Sequence, residues 1–284
     1  MASPFKQVFT DIVKEQLFPD GSWLSRFGNY DEFVDNNVIN MTEIGADPNV
    51  VKNNTTWPLT PTQRTDTGIA IALATFDTEP THITNVEELE TNYNKCETAV
   101  QQHTKKLKNG IYKSACYNVA PASHTAGTPV IRTSGAARGD GSKRLTYADV
   151  LALRTAFNKK NLPMEGRVLL LNPDHEADLM LEDAARYNAM MQSGHIAGFD
   201  VYVFNDTPFY TAAGAKSAAD AVSGKLSSVA FCESETMRAL GDIEGEPEKR
   251  WADYRGWLFG AQVRFVGQPI RQLGYGAIVD AASA

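Results

Sequence analysis

The sequence predicts an α+β fold, and three observations carry that prediction. Helix and strand patterns alternate without filler from Leu145 to Tyr210, a long single-stripe helix pattern begins at Thr84, and two strand patterns close the chain between Trp257 and Val279. At 284 residues with 43% hydrophobic content, the chain can bury a sizeable core, in one large domain or two small ones.

From the amino terminus, Phe5, Val8, Phe9, Ile12, Val13 and Leu17 recur at helical spacing up to Pro19, Asp20 and Gly21, which predicts a short amphipathic helix. Val38 to Ile44 reads as a strand, and so does Gly68 to Phe76, with Ile69, Ile71 and Leu73 on one face. Between them, 16 of the 24 residues from Gly45 to Gly68 are Asn, Thr, Pro, Asp or Gly, so the segment cannot bury itself. Two readings stand side by side: a plain surface loop, or, if the flanking strands pair, the tip of a projecting hairpin with Trp57 as an anchor for a neighbouring molecule.

Thr84 and Glu87 match a capping box, and Val86, Leu89, Tyr93, Cys96, Val100, His103 and Leu107 follow in one narrow stripe that Gly110 is expected to end. Acid near the start (Glu87, Glu88, Glu90) and base near the end (Lys105, Lys106, Lys108) suit the helix dipole. Polar His103 in the seam argues for packing across a sheet rather than in a coiled coil.

In the α/β unit, Thr146 caps a helix whose buried side is Tyr147, Val150, Leu153 and Phe157. Val168 to Leu171 is a short unbroken apolar run, as expected of a strand covered on both faces, and Asn172 with Pro173 opens the next helix. That helix is expected to bury Ala177, Met180, Ala184, Tyr187 and Met191 and to stop at Gly194 and Gly198, before a strand through Phe199, Val201 and Val203.

The strings KKNLP (159–163), RVLLLNPDHEADLMLED (167–183) and GFDVYVFNDTPFY (198–210) resemble the apical domain of a tailed-bacteriophage major capsid protein, and RFVGQPIRQLGYGAIV (264–279) resembles the return of that chain to its peripheral sheet. The order of elements agrees over nearly the whole chain. The resemblance implies the Hong Kong-type capsid fold: an amino-terminal arm and short helix (1–36), an extended hairpin loop (37–78), a spine helix with the peripheral domain (79–144), an α/β apical domain (145–245) and return strands of the peripheral domain (246–284). It implies a structural subunit that self-assembles through pentamers and hexamers into an icosahedral head enclosing double-stranded DNA, found in the virion capsid and assembled in the bacterial cytoplasm. Inter-subunit contacts are expected from Val50, Val51, Lys52, Trp57, Leu59 and Arg64. The chain begins at Met1, which makes a separate scaffolding protein the expected partner, along with portal and minor capsid proteins. Some relatives crosslink subunits through Lys and Asn; Lys52 and Asn53 lie in the hairpin segment with no local acid to catalyse the reaction, so no crosslink is expected.

Composition narrows the other classes. A net charge of −7 has the wrong sign for broad phosphate neutralisation, and eight acidic against three basic residues crowd the first 50. Cys96, Cys116 and Cys232 have neither disulfide nor metal spacing, and no apolar run reaches membrane-spanning length. Ser134 to Lys143 has three glycines but lacks the Gly-Lys-Ser/Thr order of a phosphate loop, and reads as a flexible connection; its Arg138-Gly139-Asp140 reads as chance. Asp174, His175, Glu176 and Asp178 hint at metal or acid–base chemistry, but Leu179 stands where a zincin places its second His, and an acidic first helical turn accounts for the carboxylates. Asp242, Glu244, Glu246 and Glu248 read as a solvated loop. No enzyme signature, cofactor or metal is expected. The alternatives are an encapsulin-like compartment shell, which shares the fold, and an α/β nucleotide-binding enzyme.

Overall fold

The computed structural model describes residues 18–19, 21–35, 37–43, 52–55, 57–58, 67–84, 95–245, 248–250 and 255–283. The amino-terminal helix pattern, the capping box completed by Glu87, and the first turns of the long helix lie outside them. Chain order gives β1 (Gly28–Asn29), β2 (Val34–Asp35), β3 (Val38–Glu43), β4 (Thr67–Ala72), β5 (Ala74–Asp77) and β6 (Thr81–Thr84), then helix α1 (Lys95–Val119) and β7 (Val130–Arg132). The α/β unit follows: α2 (Tyr147–Asn158), β8 (Arg167–Leu171), α3 (Pro173–Glu182), α4 (Ala184–Ser193), β9 (His195–Ile196) and β10 (Phe199–Val203). The chain closes with β11 (Ser227–Cys232), β12 (Thr236–Gly245), β13 (Glu248–Arg250), β14 (Gly256–Phe259), β15 (Ala261–Pro269) and β16 (Tyr275–Val279).

Four sheets result, ordered β1-β12-β15-β5, β7-β16-β11-β8-β10-β9, β13-β14-β6 and β2-β3-β4. In the six-stranded sheet β8 and β10 run parallel, whereas β11 is antiparallel to β8 and β16. All five residues of β8 are buried, as its unbroken apolar run demands of a strand covered on both sides. Alternation sorts them: Val168 and Leu170 join one core with α1, while Leu169 and Leu171 join a second with α2 and Phe199. The predicted α2 stripe of Tyr147, Val150, Leu153 and Phe157 is buried, and Asp149 accepts from the Thr146 N–H at 3.0 Å.

Helix α1 does not end at Gly110. It runs on to Val119 because Ile111, Tyr112, Ala115, Cys116 and Val119 extend the buried stripe, and a stripe with a core to fill outweighs the roughly 1 kcal/mol that one helical glycine costs. Its 25 described residues make a rod of roughly 37 Å. The rod lies against β15, where a Cβ on Gly267 would sit 3.1 Å from that of Ala115, so the helix seats closely on the sheet. Beyond the helix end, Lys216 Nζ donates to the carbonyls of Tyr117 (3.0 Å) and Ala120 (2.8 Å), a favourable place for a cation.

Four other expectations need correction. The helix expected through Met191 breaks at Asp183, whose extended backbone starts α4 with its carboxylate accepting from Arg186 N–H. Within α3 His175, Asp178 and Leu179 face inward while Ala177 and Met180 are exposed; in α4 Ala184 is exposed, Tyr187 is buried and Met191 is half-buried. The strand pattern Gly68 to Phe76 is two strands with Leu73 buried between them, and the first of the two closing patterns, the one that starts at Trp257, divides at Gly260 into β14 and β15. The closing strands go to different sheets: β15 pairs with β12 and β5, whereas β16 lies between β11 and β7.

One buried cluster joins the four-stranded and six-stranded sheets through α1, and it includes Trp23, Leu24 and Phe27 from a short turn at Trp23–Arg26. Trp23 packs its ring against Phe27, Tyr112, Phe204 and Phe231 at 5.1 to 6.3 Å. Arg26 fixes the same turn to the α/β unit through Asp200 (2.7 Å) and Glu233.

Candidate assembly surfaces and a sealed polar network

Strands β3 and β4 pair antiparallel over their whole length, from Val38 opposite Ala72 to Glu43 opposite Thr67. Residues 44–66 therefore connect the arms of a hairpin. Of the contact residues expected there, Lys52 and Trp57 are described and both are exposed, Trp57 at 75%. Val50, Val51, Leu59 and Arg64 lie outside the described residues. An exposed tryptophan of this degree presents a large apolar area to any molecule that covers it. Phe33, 59% exposed, ends the short turn Asp31–Phe33 just before β2, and one aromatic in an acidic turn leaves no period in the sequence.

The motif around His175 has a different role from the one its sequence suggests. Asn172 caps α3 by accepting from Asp174 N–H, and Glu176 takes the Tyr187 hydroxyl at 2.5 Å, so these acids serve helix starts and packing. His175 and Asp178 instead point inward. His175 Nδ1 lies 2.7 Å from Ser228 Oγ and Nε2 lies 2.9 Å from Asp280 Oδ1. Ser228 Oγ already accepts from Asn172 N–H at 3.0 Å, which leaves its hydroxyl to donate to Nδ1 and the Nε2–H to donate to Asp280. Arg138 closes the set, 3.1 Å from Asp280 Oδ2 and 2.5 Å from Asp178 Oδ2.

Serine, histidine and aspartate in contact suggest a hydrolytic triad, but Ser228 and His175 are wholly buried and Asp280 is shared with Arg138. No substrate reaches that hydroxyl. The network also overturns the expectation of a flexible 134–143 connection: Arg138 anchors it, Ser142 bridges to Ala282, and Lys225 Nζ donates to Gly141 O at 2.8 Å. Arg138 of the Arg-Gly-Asp tripeptide is turned into the body and is unavailable to a receptor. Burial pushes the Cys116 and Cys232 thiols up, which makes them poor nucleophiles. Among the described residues, no three His, Cys, Asp or Glu side chains converge as metal ligands, and no helix is long and apolar enough to cross a membrane.

Asp242 and Glu244 are not in a loop but on β12, exposed, and Glu248 is exposed on β13; Glu246 lies outside the described residues. Acid therefore lies along a sheet instead of a flexible turn.

Ser228, His175, Cys116 and Cys232 are thus buried, whereas Trp57 is held in solvent. A family model described as "Phage capsid protein" matches residues 97–278, and the chain belongs to that family. Its fold is similar to the capsid of the cyanophage P-SCSP1u, with a TM-score of 0.67 at 16% identity over 91% of this chain and 87% of that one. It is similar as well to the capsid of Ralstonia phage GP4 (TM-score 0.63, 10% identity, 95% and 91% covered). A virus-like particle from Pyrococcus furiosus gives a TM-score of 0.59 at 8% identity, with 97% and 100% covered. No curated protein matches the sequence. The α+β architecture is that of tailed-phage major capsid proteins, and the chain is a structural protein of a phage head.

Proposed function

We propose that copies of this chain close into an icosahedral shell through pentamers and hexamers, enclose double-stranded DNA without reading its sequence, and carry no enzymatic activity. The family match across residues 97–278 carries this reading, and the fold likeness over more than nine-tenths of the chain supports it. In this reading the β3–β4 hairpin lies across a neighbouring subunit, with Lys52 and Trp57 and the expected contacts Val50, Val51, Leu59 and Arg64. Helix α1 stiffens the shell wall, and the α/β unit surrounds the local symmetry axes. A separate scaffolding protein, a portal and minor capsid proteins complete the head in the bacterial cytoplasm. No Lys52–Asn53 crosslink forms.

Electron microscopy of the purified protein, with its mass in solution, tests the proposal. Closed shells or five- and six-fold rings are expected, and ladder-free bands in denaturing gels. A monomer that stays monomeric with crowding agents and a scaffold would sink it. The likeness to the Pyrococcus furiosus particle gives a second reading, a compartment shell. Particles purified with protein cargo and no nucleic acid would favour it; packaged genomic DNA would exclude it.

A further inference from the structure

Lys105, Lys106 and Lys108 would suit the dipole of a helix that stopped at Gly110, but α1 runs on to Val119, roughly three turns past Lys108. The dipole acts within the last turn, so it does not account for these lysines. From Val100 to Val119 the chain carries Lys105, Lys106, Lys108 and Lys113 and no Asp or Glu, in a protein whose net charge is −7. Lys105, Lys106 and Lys113 are exposed, as are Gln101, Gln102 and Asn109, and Lys108 lies over the Tyr112 ring at 5.5 Å. Of the acids beside these lysines, Asp77 turns to Gln262, and Glu79, Asp174 and Asp206 form no ion pair with them among the described residues.

The layer that α1 makes with its sheet differs in charge between its two sides. Ile243, Val263 and Phe265 are buried in one cluster with Leu107, Ile111 and Ala115 of α1. Strand alternation turns Glu244 of β12 and its register partner Gln262 of β15 to the far face, where Gln262 Nε2 donates to Asp77 Oδ1 at 2.6 Å. Glu244 and Asp77 are exposed, and Arg264 on that face is half-buried. Base lies on the helix side of the layer and acid on the sheet side.

We propose that the exposed lysine face of α1 is the part of the shell wall that meets the packaged DNA duplex. The inference rests on the DNA-enclosing capsid reading above. A polyanion inside a shell of acidic subunits is repelled by most of their surface. A wall with base on one side and acid on the other is lowest in energy with its basic side toward the phosphates. Lys105 to Lys113 span roughly 12 Å of helix, about the length of three to four phosphates along one strand. An ammonium on a flexible stem suits that partner, because it neutralises phosphate without reading bases; the contact is salt-dependent and indifferent to sequence. A local stripe of this kind is compatible with a net charge that forbids broad phosphate neutralisation.

Formaldehyde treatment of DNA-filled heads, followed by nuclease and protease digestion and mass spectrometry, reads the contact directly. Nucleotide adducts on Lys105, Lys106 and Lys113 are expected at about tenfold or more the level on Lys159 and Lys160, which are exposed in the α/β unit. Equal levels on all five lysines would overturn the inference and leave the capsid reading intact, because filled heads would have formed. Particles that hold no nucleic acid would remove the reading and the inference together. Adducts to a protein in DNA-free shells, with none to DNA in filled heads, would assign the face to an acidic protein partner and overturn the duplex. The triple variant Lys105→Gln, Lys106→Gln, Lys113→Gln is expected to keep the wild-type melting temperature and yield of empty shells. In titrations of dissociated subunits with a short random-sequence duplex, it is expected to lower the slope of log affinity against log salt by roughly 3. An unchanged slope from a folded variant would count against the proposal.

Discussion

At the scale of single residues, the sharpest consequences come from polar groups that the core has taken in. His103 sits on the buried side of α1, its Nδ1 2.6 Å from Thr78 Oγ1 and its Nε2 2.8 Å from Thr81 Oγ1. Thr78 Oγ1 already donates to Ala261 O and accepts from Ala261 N–H, so it takes the Nδ1–H, and the Thr81 hydroxyl donates to Nε2. Both nitrogens are used by a neutral ring, and burial lowers its pKa. The unfolded chain, with an ordinary histidine near 6.5, then binds the proton first, so stability is full above about pH 6.5 and falls as pH drops toward the lowered folded value. His103→Gln is expected to flatten that acid-side loss in thermal melts run from pH 7 down to pH 5, and an unchanged slope would refute it. Arg138 gives a second case: Arg138→Met leaves Asp178 and Asp280, 3% and 1% exposed, without their cation. The expected cost is about 3 kcal/mol, read as a lower urea midpoint. The sequence does not show this network. Asp178 and Asp280 are 102 positions apart in the chain, and only the fold shows that they share one guanidinium.

At the scale of elements, local signals were legible where one residue type has one physical use. Thr146, the Asn172-Pro173 pair and Gly194 mark boundaries that the structure keeps, because caps act within a turn of the chain. Gly110 and the stripe through Met180 misled for the opposite reason: a glycine inside a helix and an amphipathic phase are decided by what packs on them. Trp23, in a four-residue turn, and Phe27, just after it, carry no period in the sequence, yet they fill the junction of α1 with the six-stranded sheet. The continuation past Gly110 makes a testable claim. Ile111→Ala, at a fully buried position of α1, is expected to cost about 3 kcal/mol through the cavity it leaves. Lys113→Ala, two positions along on the exposed face, is expected to stay within about 0.5 kcal/mol. Equal losses in chemical denaturation would mean that the helix does not continue in register through Gly110.

At the scale of the whole molecule, what the sequence made legible was order: hairpin, long helix, α/β unit and closing strands follow one another in the structure as their residue patterns do along the chain, and residues 97–278 match the capsid family. Its surfaces were less legible, since a contact between copies leaves no periodic mark on one chain. Trp57 is where the contact is proposed: a large aromatic in a segment too polar to bury it, it is 75% exposed and leaves its ring to a partner that would cover it. That separation predicts a split between two measurements. Trp57→Ala is expected to leave the melting temperature of the unassembled subunit unchanged, because the ring buries little there. Shell formation, followed by light scattering against protein concentration, should need roughly 30-fold more subunit, the equivalent of about 2 kcal/mol lost at a central contact. A fall in subunit stability of the same size would show that the ring is part of the monomer's own packing. Unchanged assembly with unchanged stability would move the contact away from the hairpin tip.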